Sequence, residues 1–573
     1  MKSGNRNYVF VGLLAVAVLA LPTVASSSEF VLTAHHWGRA QEAAVAAAGG
    51  TIVWSHSGAG IASVTSENPD FLARVSGNRA FTSAAEDMMV QWQNPNFVEL
   101  GHITPGDETF FPVQWNMMTM EAPAAWAADC TGAGVRVAIN DGGIDPTHPD
   151  LAPNMDTSCS ASFVPGFGFD EDTGTFWHGM HVAGIVAAAD DGGGVIGVAP
   201  EATLIGVKVL HSGSGDFGWV IGGILYAADP AAFGRPDCAK ADIINLSLGA
   251  VFNKRFVGGP GGSLVAAVAR AVNYATSKGT LVVSAAGNEG FDLGQAFDIT
   301  SVPAESGSGL AIAATGPVDI AGVFGGLAGP RAPASYSNFG EGTSYVAAPG
   351  GTPGITALVA VNSPASIAGT KLASQAAYGP LPAGETADVA LWTDAADTTG
   401  DPHDACEGGV DPGVAGKIAL IHRGSCAFVS KSSAADASGA VGVMISNNGP
   451  GQMPNLGGSA PVTIPSVGIT QADGADMEAN LAAPVNATLL TNPAGVLDQV
   501  LSSCKSGWCF AYGTSMASPA AAGVAALIKG ANPGIPLGAL KTKLKNTADD
   551  EGPNGHDEFY GHGFVNARRA CTE

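Results

Sequence analysis

Three separate segments of this 573-residue chain carry side chains that together could perform nucleophilic catalysis. Ser515 lies between small residues in segment 513–519, where a loop is predicted to enter the Ala-rich helix 520–529. A serine hydroxyl is a poor nucleophile until a base removes its proton. His178 could be that base, and Asp141 could hold the imidazole ring in the required tautomer. The combination predicts acyl transfer through a serine, whereas Ser515 alone would indicate only a helix cap.

The elements around these residues predict an α/β fold with a mostly parallel sheet. Apolar strands and helices alternate between Gly132 and Gly350, a pattern typical of a parallel sheet covered by helices on both faces. Asp141 directly follows the apolar strand 135–140, and ligands of such sheets bind beyond the carboxyl ends of the strands. The predicted strands are 204–210, 242–246, 281–284 and 310–314, and the predicted helices are 178–188, 220–228 and 262–278.

The segments 137–145, 178–184 and 513–519 resemble the three catalytic motifs of the subtilisin-like serine proteases, the subtilases. The order Asp, His, Ser along the chain is also that of subtilisin. The resemblance extends over most of Pro112 to Ala570, with one interruption. It implies a three-layer subtilisin-like sheet and an Asp141–His178–Ser515 triad that cleaves peptide bonds through an acyl-enzyme. Segment 284–290 matches the family's oxyanion-hole segment, so Asn288 is expected to stabilise the oxyanion together with the backbone N–H of Ser515.

The resemblance also implies where a peptide substrate binds. Two strands are expected to pair with an extended substrate, and two small residues are expected to line the primary pocket: Ser214 and Gly215 on one strand, Ser247, Leu248 and Gly249 on the other, with Ala286 and Gly287 in the wall. Small residues there predict a broad preference for large apolar or aromatic residues before the scissile bond. Glu289 is expected at the rim of this pocket, where it could admit a basic residue before the scissile bond instead.

Composition and the first residues predict an exported protein. Residues 1–25 combine a basic start with an apolar run and small residues, as in a secretory signal peptide. That run is shorter than the roughly 20 residues of a membrane span. A net charge of −25 argues against nucleic acid or an anionic membrane as a partner. We therefore expect a secreted, extracellular protein that is a monomer and acts on proteins or peptides.

Residues 28–105 resemble the inhibitory propeptide of subtilases. A helix at 40–48 is followed by strands at 51–54 and 61–64 and by a second helix at 68–75. Such a segment inhibits its own protease intramolecularly until it is cleaved, so a self-processed zymogen is expected. The cleavage point is expected within 96–111, and an ordinary accessory domain is the alternative.

Between the first part of the catalytic domain, 112–350, and its second part, 496–573, the alternation of strands and helices breaks. The segment 355–495 has its own strand and turn signals and resembles a β-rich protease-associated (PA) domain. The family implies a role in substrate access or partner contact, and a plain spacer is the alternative. His422 at a strand end is expected to be structural.

Calcium is the one cofactor that the resemblance implies. Asp150 and Asp191 fall where subtilases bind a structural calcium ion, and both offer hard oxygen ligands. Two positions depart from the family pattern: Met180 stands where threonine is usual, and Gly142 follows the aspartate. Neither change removes a group that transfers protons.

Eight cysteines are typical of an oxidising compartment. Their spacing favours the pairs Cys504–Cys509 and Cys406–Cys426, which leaves Cys130–Cys159 and Cys238–Cys571. The Asn-x-Ser/Thr strings at Asn245 and Asn486 do not discriminate between functions, because the first falls in a predicted core strand.

Two other functions stay open on the sequence alone. A non-catalytic binding or structural protein on the same fold is favoured by Met180 and by an insertion that could block the cleft. Transpeptidation, in which an amine rather than water resolves the acyl-enzyme, needs the same residues.

Overall fold

The structure is a computed structural model. It describes residues 27–93, 97–99, 110–174, 176–253, 261–295, 299–317, 331–334, 336–342, 344–352, 357–376, 378–396, 400–424, 426–448, 453–454, 456, 462–492, 497–505 and 507–573. The predicted signal segment, and most of the stretch in which cleavage is expected, lie outside these residues. Within the described part of the chain, no helix combines the length and apolarity needed to cross a membrane.

The N-terminal domain is a four-stranded antiparallel sheet in the order β2-β3-β1-β4, packed against two helices. Its elements are β1 (Ser28–Thr33), α1 (Arg39–Ala48), β2 (Gly50–His56), β3 (Ile61–Ser66), α2 (Phe71–Ser76) and β4 (Ser83–Glu86). The helix–strand–strand–helix order predicted from the sequence is present, and β1 and β4 complete the sheet. Gly49 ends α1 at φ 90°, a left-handed conformation that favours glycine.

Two short strands continue the chain from this domain into the catalytic domain. They are β5 (Met89–Gln91) and β6 (Phe97–Glu99), and each pairs with a strand of the catalytic domain rather than with the N-terminal sheet.

An eight-stranded, mostly parallel sheet forms the centre of the catalytic domain. The strand order is β16-β15-β13-β11-β7-β9-β8, with β17 beside β15, and only β16 runs antiparallel. The elements before the insertion are α3 (Trp115–Thr119), α4 (Ala122–Trp126), β7 (Arg136–Asp141), β8 (Ala161–Ser162), α5 (His178–Ala187), β9 (Thr203–Lys208), β10 (Ser214–Asp216), α6 (Phe217–Ala228), β11 (Ile243–Leu246), β12 (Ala250–Asn253), α7 (Gly262–Ser277), β13 (Leu281–Ala285), β14 (Ile299–Val302), β15 (Leu310–Pro317), β16 (Arg331–Pro333) and β17 (Ser344–Pro349).

Both faces of this sheet are buried because its strands are apolar at successive positions. Val137 and Ile139 face one core, which also contains residues of α5, while Ala138 between them faces the other core with residues of α6 and α7. The predicted three-layer α/β fold is therefore confirmed.

The insertion forms a closed barrel in the order β18-β19-β23-β22-β21-β20-β24. Its elements are β18 (Ala357–Ser363), β19 (Gly369–Gln375), β20 (Ala383–Leu391), β21 (Ile418–His422), α8 (Phe428–Ala437), β22 (Gly442–Ser446), β23 (Ser466–Ile469), α9 (Gln471–Asn480) and β24 (Asn486–Thr491). At the end of β21, His422 Nδ1 lies 2.9 Å from Asp401 and Nε2 lies 3.3 Å from Glu478. These contacts join β21 to α9 and to a loop.

After the insertion the chain returns to the catalytic domain. A hairpin and three helices follow: β25 (Val500–Cys504), β26 (Gly507–Ala511), α10 (Thr514–Ala531), α11 (Leu537–Asn546) and α12 (Ala567–Thr572). Helix α10 is buried along most of its length and packs against the central sheet.

The disulfides correct half of the predicted pairing. Cys504–Cys509 and Cys406–Cys426 are confirmed. The pairs Cys130–Cys159 and Cys238–Cys571 are wrong, because the structure joins Cys130 to Cys571 and Cys159 to Cys238. The correct pairs link segments 441 and 79 residues apart, which only the fold brings together.

Candidate active site

Asp141 and His178 meet at the carboxyl end of the central sheet. Asp141 is the last residue of β7 and is fully buried. His178 begins α5, and its Nδ1 lies 2.9 Å from Asp141 Oδ1 and 3.1 Å from Oδ2. The Gly142 N–H also donates to Oδ1 at 2.6 Å, so the carboxylate is held from two sides. This geometry can orient the imidazole and stabilise its positive charge.

Ser515 is the second residue of α10 and lies at the buried N-terminal end of that helix. The cap residue Gly513 has φ 152°, a conformation that L side chains rarely adopt. Ser515 Oγ donates to the main-chain oxygen of Ser247 at 3.2 Å. The three residues that the sequence grouped are therefore carried by β7, α5 and α10, which are neighbours in the fold.

His181 lies one helical turn beyond His178 and serves a different purpose. Burial lowers the pKa of His181 to about 3, so its ring is neutral at ordinary pH. Its Nε2 bonds the main-chain oxygen of Cys509 at 3.0 Å, which ties α5 to β26. Met180 is the residue that departs from the family motif. Its side chain is fully buried and belongs to the hydrophobic core.

Asn288 lies near Ser515 and is held by Thr514, the residue before Ser515. Its Oδ1 accepts hydrogen bonds from the N–H of Thr514 at 2.8 Å and from Thr514 Oγ1 at 2.9 Å. Fixing the oxygen end of the amide determines which end is the donor. Thr514 Oγ1 also accepts from the N–H of Gly287, so one side chain connects the helix start to the proposed oxyanion segment. Sequence reasoning missed this role of Thr514.

The strands expected to bind substrate instead hold the chain's own segment 89–93. β10 pairs antiparallel with β5, with Gly215 opposite Val90. Farther along, the N–H groups of Trp92 and Gln93 both donate to the Gly213 oxygen. From the other side, the N–H of Gly249 donates to the Trp92 oxygen at 3.1 Å. The segment thus lies extended between β10 and residues 247–249, which follow the end of β11 and are not themselves a strand.

Gln93 contacts both Asp141 and His178. Its Nε2 lies 3.1 Å from Asp141 Oδ1, 2.8 Å from His178 Nδ1 and 3.3 Å from the Ser247 oxygen. Because the side chain is almost fully buried, it excludes water from this side of the triad.

The chain pairs with the catalytic domain a second time through β6. β6 runs antiparallel to β26, with Phe97 opposite Ala511 and Glu99 opposite Cys509. β26 ends only four residues before Ser515. The chain is therefore anchored on one side of Ser515 up to Gln93 and on the other side from Phe97 onward.

Trp92 fills an aromatic subsite next to β10. Its ring packs edge-on against Phe217 at 5.0 Å and Phe252 at 6.2 Å between ring centroids. Its indole N–H donates to the Gly215 oxygen at 2.7 Å, so the polar end of the buried ring is also satisfied. Leu248, from the opposite strand, belongs to the same apolar cluster.

The predicted wall of the primary pocket is bound to Asn338. The Ala286 oxygen accepts from Asn338 Nδ2 at 3.1 Å, and the Gly287 oxygen accepts from the Asn338 N–H at 2.9 Å. A side chain on Gly287 would approach Asn338 Nδ2 to 2.3 Å, so glycine is required there. Glu289 Oε2 accepts from the same amide at 2.6 Å, which ties its charge to the wall.

The two carboxylates expected to bind calcium lie close enough to interact. Burial raises the pKa of Asp150, and the negative charge of Asp191 adds to this. Asp150 Oδ2 accepts from the Trp508 indole at 2.7 Å and from the Val195 N–H at 3.0 Å. A buried carboxylate with a second negative charge in its field supplies oxygen atoms of the kind that calcium prefers.

Among the described residues, the acidic cluster closest to a metal-binding arrangement is elsewhere, in the PA barrel. Asp394, Asp404 and Glu407 have oxygens within 4.8 Å of one another. The buried Lys431 ammonium lies in the field of these carboxylates and donates to the main-chain oxygen of Asp404, so the protein already supplies a cation at this cluster.

Residues 132–390 and 466–563 match the family model of the subtilases. The chain belongs to the subtilase family. Residues 385–477 match the PA domain, which interrupts the subtilase match.

Curated subtilases align with part of this chain. Subtilisin E of Bacillus subtilis (strain 168) is 40% identical over 195 residues, which span 34% of this chain and 44% of subtilisin E. Subtilisin Savinase of Lederbergia lenta is 37% identical over 236 residues, which span 41% of this chain and 71% of that protein. The alignments thus reach from under half to about seven-tenths of the relatives' length.

A solved serine protease has the same fold over nearly the whole chain. The epidermin leader peptide processing serine protease of Staphylococcus aureus superimposes with a TM-score of 0.55, covering 95% of this chain and 98% of that one. At 17% identity this similarity concerns the fold alone.

Proposed function

We propose that this subtilase is a serine endopeptidase that cleaves proteins through an acyl-enzyme. Ser515 is the nucleophile, and His178 takes its proton and later gives it to the leaving amine. Asp141 orients His178, and Asn288 with the N–H of Ser515 stabilises the oxyanion. One observation carries the proposal: the chain's own segments 89–93 and 97–99 pair with the catalytic domain on the two sides of Ser515.

Hydrolysis of a chromogenic peptide that ends in an aromatic residue tests this proposal. Purified processed protein should hydrolyse the peptide, and both Ser515→Ala and a serine-directed phosphonylating reagent should abolish the activity. Asp141→Asn should also reduce kcat strongly, because the histidine would lose the partner that selects its tautomer. Activity that persists in Ser515→Ala would refute the assignment.

The N-terminal domain is proposed to be an inhibitory propeptide that the enzyme removes itself. Segment 89–93 occupies the substrate strands, and Gln93 lies against the Asp141–His178 pair. Since the chain is anchored up to Gln93 on one side of Ser515 and from Phe97 on the other, we place the scissile bond between these two residues. This placement shares only the bond 96–97 with the stretch 96–111 expected from the sequence, and the other three bonds lie before that stretch.

Maturation of the wild type and of Ser515→Ala tests the propeptide assignment. The wild type should yield a product whose N-terminus lies between residues 94 and 97, and Ser515→Ala should remain uncleaved. Processing of Ser515→Ala without added protease would contradict self-cleavage. A mature N-terminus near Ser28 would show that the domain is retained and is not a propeptide.

A preference for large apolar or aromatic residues before the scissile bond is proposed from the small residues Ala286 and Gly287. The bond between Glu289 and Asn338 favours this preference over a basic residue, because the carboxylate is already engaged. The aromatic subsite that Trp92 fills supports a second preference for aromatic residues, at a substrate position farther from the scissile bond. A peptide-library profile dominated by acidic or very small residues would refute this specificity.

We also propose an extracellular monomer with one structural calcium ion at Asp150 and Asp191. Four disulfides in the described residues favour an oxidising compartment. The PA barrel is proposed to contribute to substrate access or partner contact.

A further inference from the structure

The nucleophile lies at a break in the hydrogen bonding of its own helix. In an α-helix the carbonyl of residue i accepts from the N–H of residue i+4, so the Ser515 carbonyl would pair with residue 519. That residue is Pro519, which lies inside α10 and has no N–H. Buried carbonyls are nearly always hydrogen-bonded, so a substitute donor is expected.

Ser247, which directly follows β11, supplies this donor. Its Oγ donates to the Ser515 oxygen at 2.7 Å, and Ser247 is fully buried. Its own main-chain oxygen accepts from Ser515 Oγ at 3.2 Å. The residue that follows β11 therefore contacts both the main chain and the side chain of Ser515.

Two further buried side chains orient the Ser247 hydroxyl. Asn245 Nδ2 donates to Ser247 Oγ at 2.9 Å. Ser518, three residues after the nucleophile on the same helix, donates through Oγ to Asn245 Oδ1 at 2.7 Å. Each hydroxyl donates once, so the chain of bonds runs in a single direction from Ser518 through Asn245 and Ser247 to the Ser515 carbonyl. Bonds arranged in this way polarise and strengthen one another.

We propose that Ser247, Asn245 and Ser518 are positioning residues that replace the helical bond removed by Pro519 and thereby hold Ser515 in its reactive position. The proposal rests on the proposed function, since it concerns the same nucleophile. It also accounts for the string Asn245-Leu246-Ser247, which has the form of a glycosylation signal but is buried in and after β11. Its asparagine and serine form the network instead.

The network acts on the nucleophile in two ways. Fixing the Ser515 carbonyl fixes the start of α10, and with it the Ser515 N–H that is proposed to stabilise the oxyanion. It also links Ser515 to residues 247–249, which are proposed to bind substrate. The attacking oxygen and the scissile bond are therefore positioned by the same part of the protein. A misplacement of about 1 Å can cost roughly 10²-fold in rate. Loss of the network should therefore lower kcat and leave KM nearly unchanged, because the main chain of Ser247 to Gly249 remains.

Ser247→Ala tests the proposal in the processed enzyme. We expect kcat to fall about 10- to 100-fold with KM within about threefold of the wild type. The rate of phosphonylation of Ser515 should fall in parallel, because that reagent does not depend on the substrate strands. Ser374→Ala is the matched control, since it removes a buried hydroxyl that donates to a main-chain oxygen at 2.7 Å in the PA barrel. It should leave kcat, KM and the phosphonylation rate unchanged.

Pro519→Ala distinguishes positioning from general destabilisation. The alanine introduced by this substitution has an N–H that can bond the Ser515 carbonyl, so Ser247→Ala should cost at least fivefold less in kcat in the Pro519→Ala background than in the wild type. An equal loss in both backgrounds would overturn the proposal, as would a Ser247→Ala enzyme with kcat within twofold of the wild type. If Ser247→Ala does not accumulate, active Ser247→Ala/Pro519→Ala supports the proposal. Failure of the double variant beside an intact Pro519→Ala overturns it.

The controls separate this inference from the proposed function. A wild-type enzyme that is inactive, or an active Ser515→Ala, would defeat the proposed function itself. An active wild type with an inactive Ser515→Ala and an unaffected Ser247→Ala would defeat only the positioning network.

Discussion

Asp87 should make the affinity of the propeptide for the catalytic domain depend on pH. This residue of the N-terminal domain accepts hydrogen bonds from the N–H groups of Phe217 at 3.0 Å and Gly218 at 2.8 Å, the first two residues of α6. Asp216 occupies the cap position of that helix but makes no side-chain capping bond. The helix is therefore capped by a carboxylate from the other domain.

Burial raises the pKa of Asp87 from 3.8 to about 7, against the opposing effect of its N–H donors, and the nearby charge of Asp216 adds to the rise. The pKa of Asp87 is higher in the bound state than in the free propeptide. Asp87 therefore contributes fully to binding below about pH 4, and this contribution is lost as the pH rises towards 7. The full shift would weaken binding roughly 70-fold between about pH 5 and about pH 7.5. Asp87 is only partly buried by surface area, so solvent screening reduces this and we expect about 10-fold, or about 1.4 kcal/mol.

Inhibition of the processed enzyme by added residues 27–93 measures this dependence. The inhibition constant is determined at about pH 5 and pH 7.5 for wild-type propeptide and for Asp87→Asn, which keeps an acceptor but cannot ionise. The pH effect should be about 10-fold smaller for the variant. Burial and the charge of Glu29 raise the pKa of Asp216 to about 6. Asp216 therefore titrates in the same direction in the complexes of both propeptides, and only the comparison of the two propeptides isolates the effect of Asp87. An identical pH dependence for the two propeptides, or tighter binding of the wild type at the higher pH, would refute the reasoning.

Three other predictions follow from named contacts. Asn288→Ala should lower kcat roughly 10²- to 10³-fold with little change in KM, the size known for this oxyanion donor in subtilisin itself, and an unchanged kcat in steady-state assays would exclude Asn288 from the oxyanion hole. Calcium chelation should lower the melting temperature of the wild type but have less effect on Asp191→Asn, and an unaffected wild type would count against the site. Replacing Cys130 and Cys571 by serine should reduce the free energy of unfolding by up to roughly 6 kcal/mol, against roughly 2 kcal/mol for Cys504 and Cys509, because the first pair closes a far longer loop. Urea unfolding under non-reducing conditions measures both, and equal losses would contradict the loop-entropy argument.

Much of the fold and of the candidate site could be predicted because the relevant patterns are local. The apolar strand before Asp141, the histidine that begins α5 and the small residues around Ser515 each define an element and a chemical group within about ten residues. Sequence order then relates these elements through the rules of parallel sheets. For the same reason the disulfide Cys504–Cys509, which closes one hairpin, was predictable.

Other features depend on residues that only the fold brings together. Nothing in segment 89–93 marks it as the occupant of the cleft, and its strand signals are too short to stand out from a loop. Thr514 is simply part of the serine motif until its contacts with Asn288 are known. Cys130 pairs with Cys571 because α4 and α12 lie side by side, and separations along the chain carry no information about that.

Ser515 shows most clearly which features the sequence determines and which the tertiary structure decides. The sequence by itself predicted that a loop carrying Ser515 enters the helix 520–529, and Pro519 has no N–H by its covalent structure. The structure begins α10 at Thr514, so Pro519 lies inside the helix and leaves the Ser515 carbonyl without its helical donor. Only the tertiary structure decided that Ser247 replaces that donor, with Asn245 and Ser518 behind it. A buried carbonyl requires a hydrogen-bond partner wherever it lies, but the packing of β11 against α10 determines which residue is near enough to provide it.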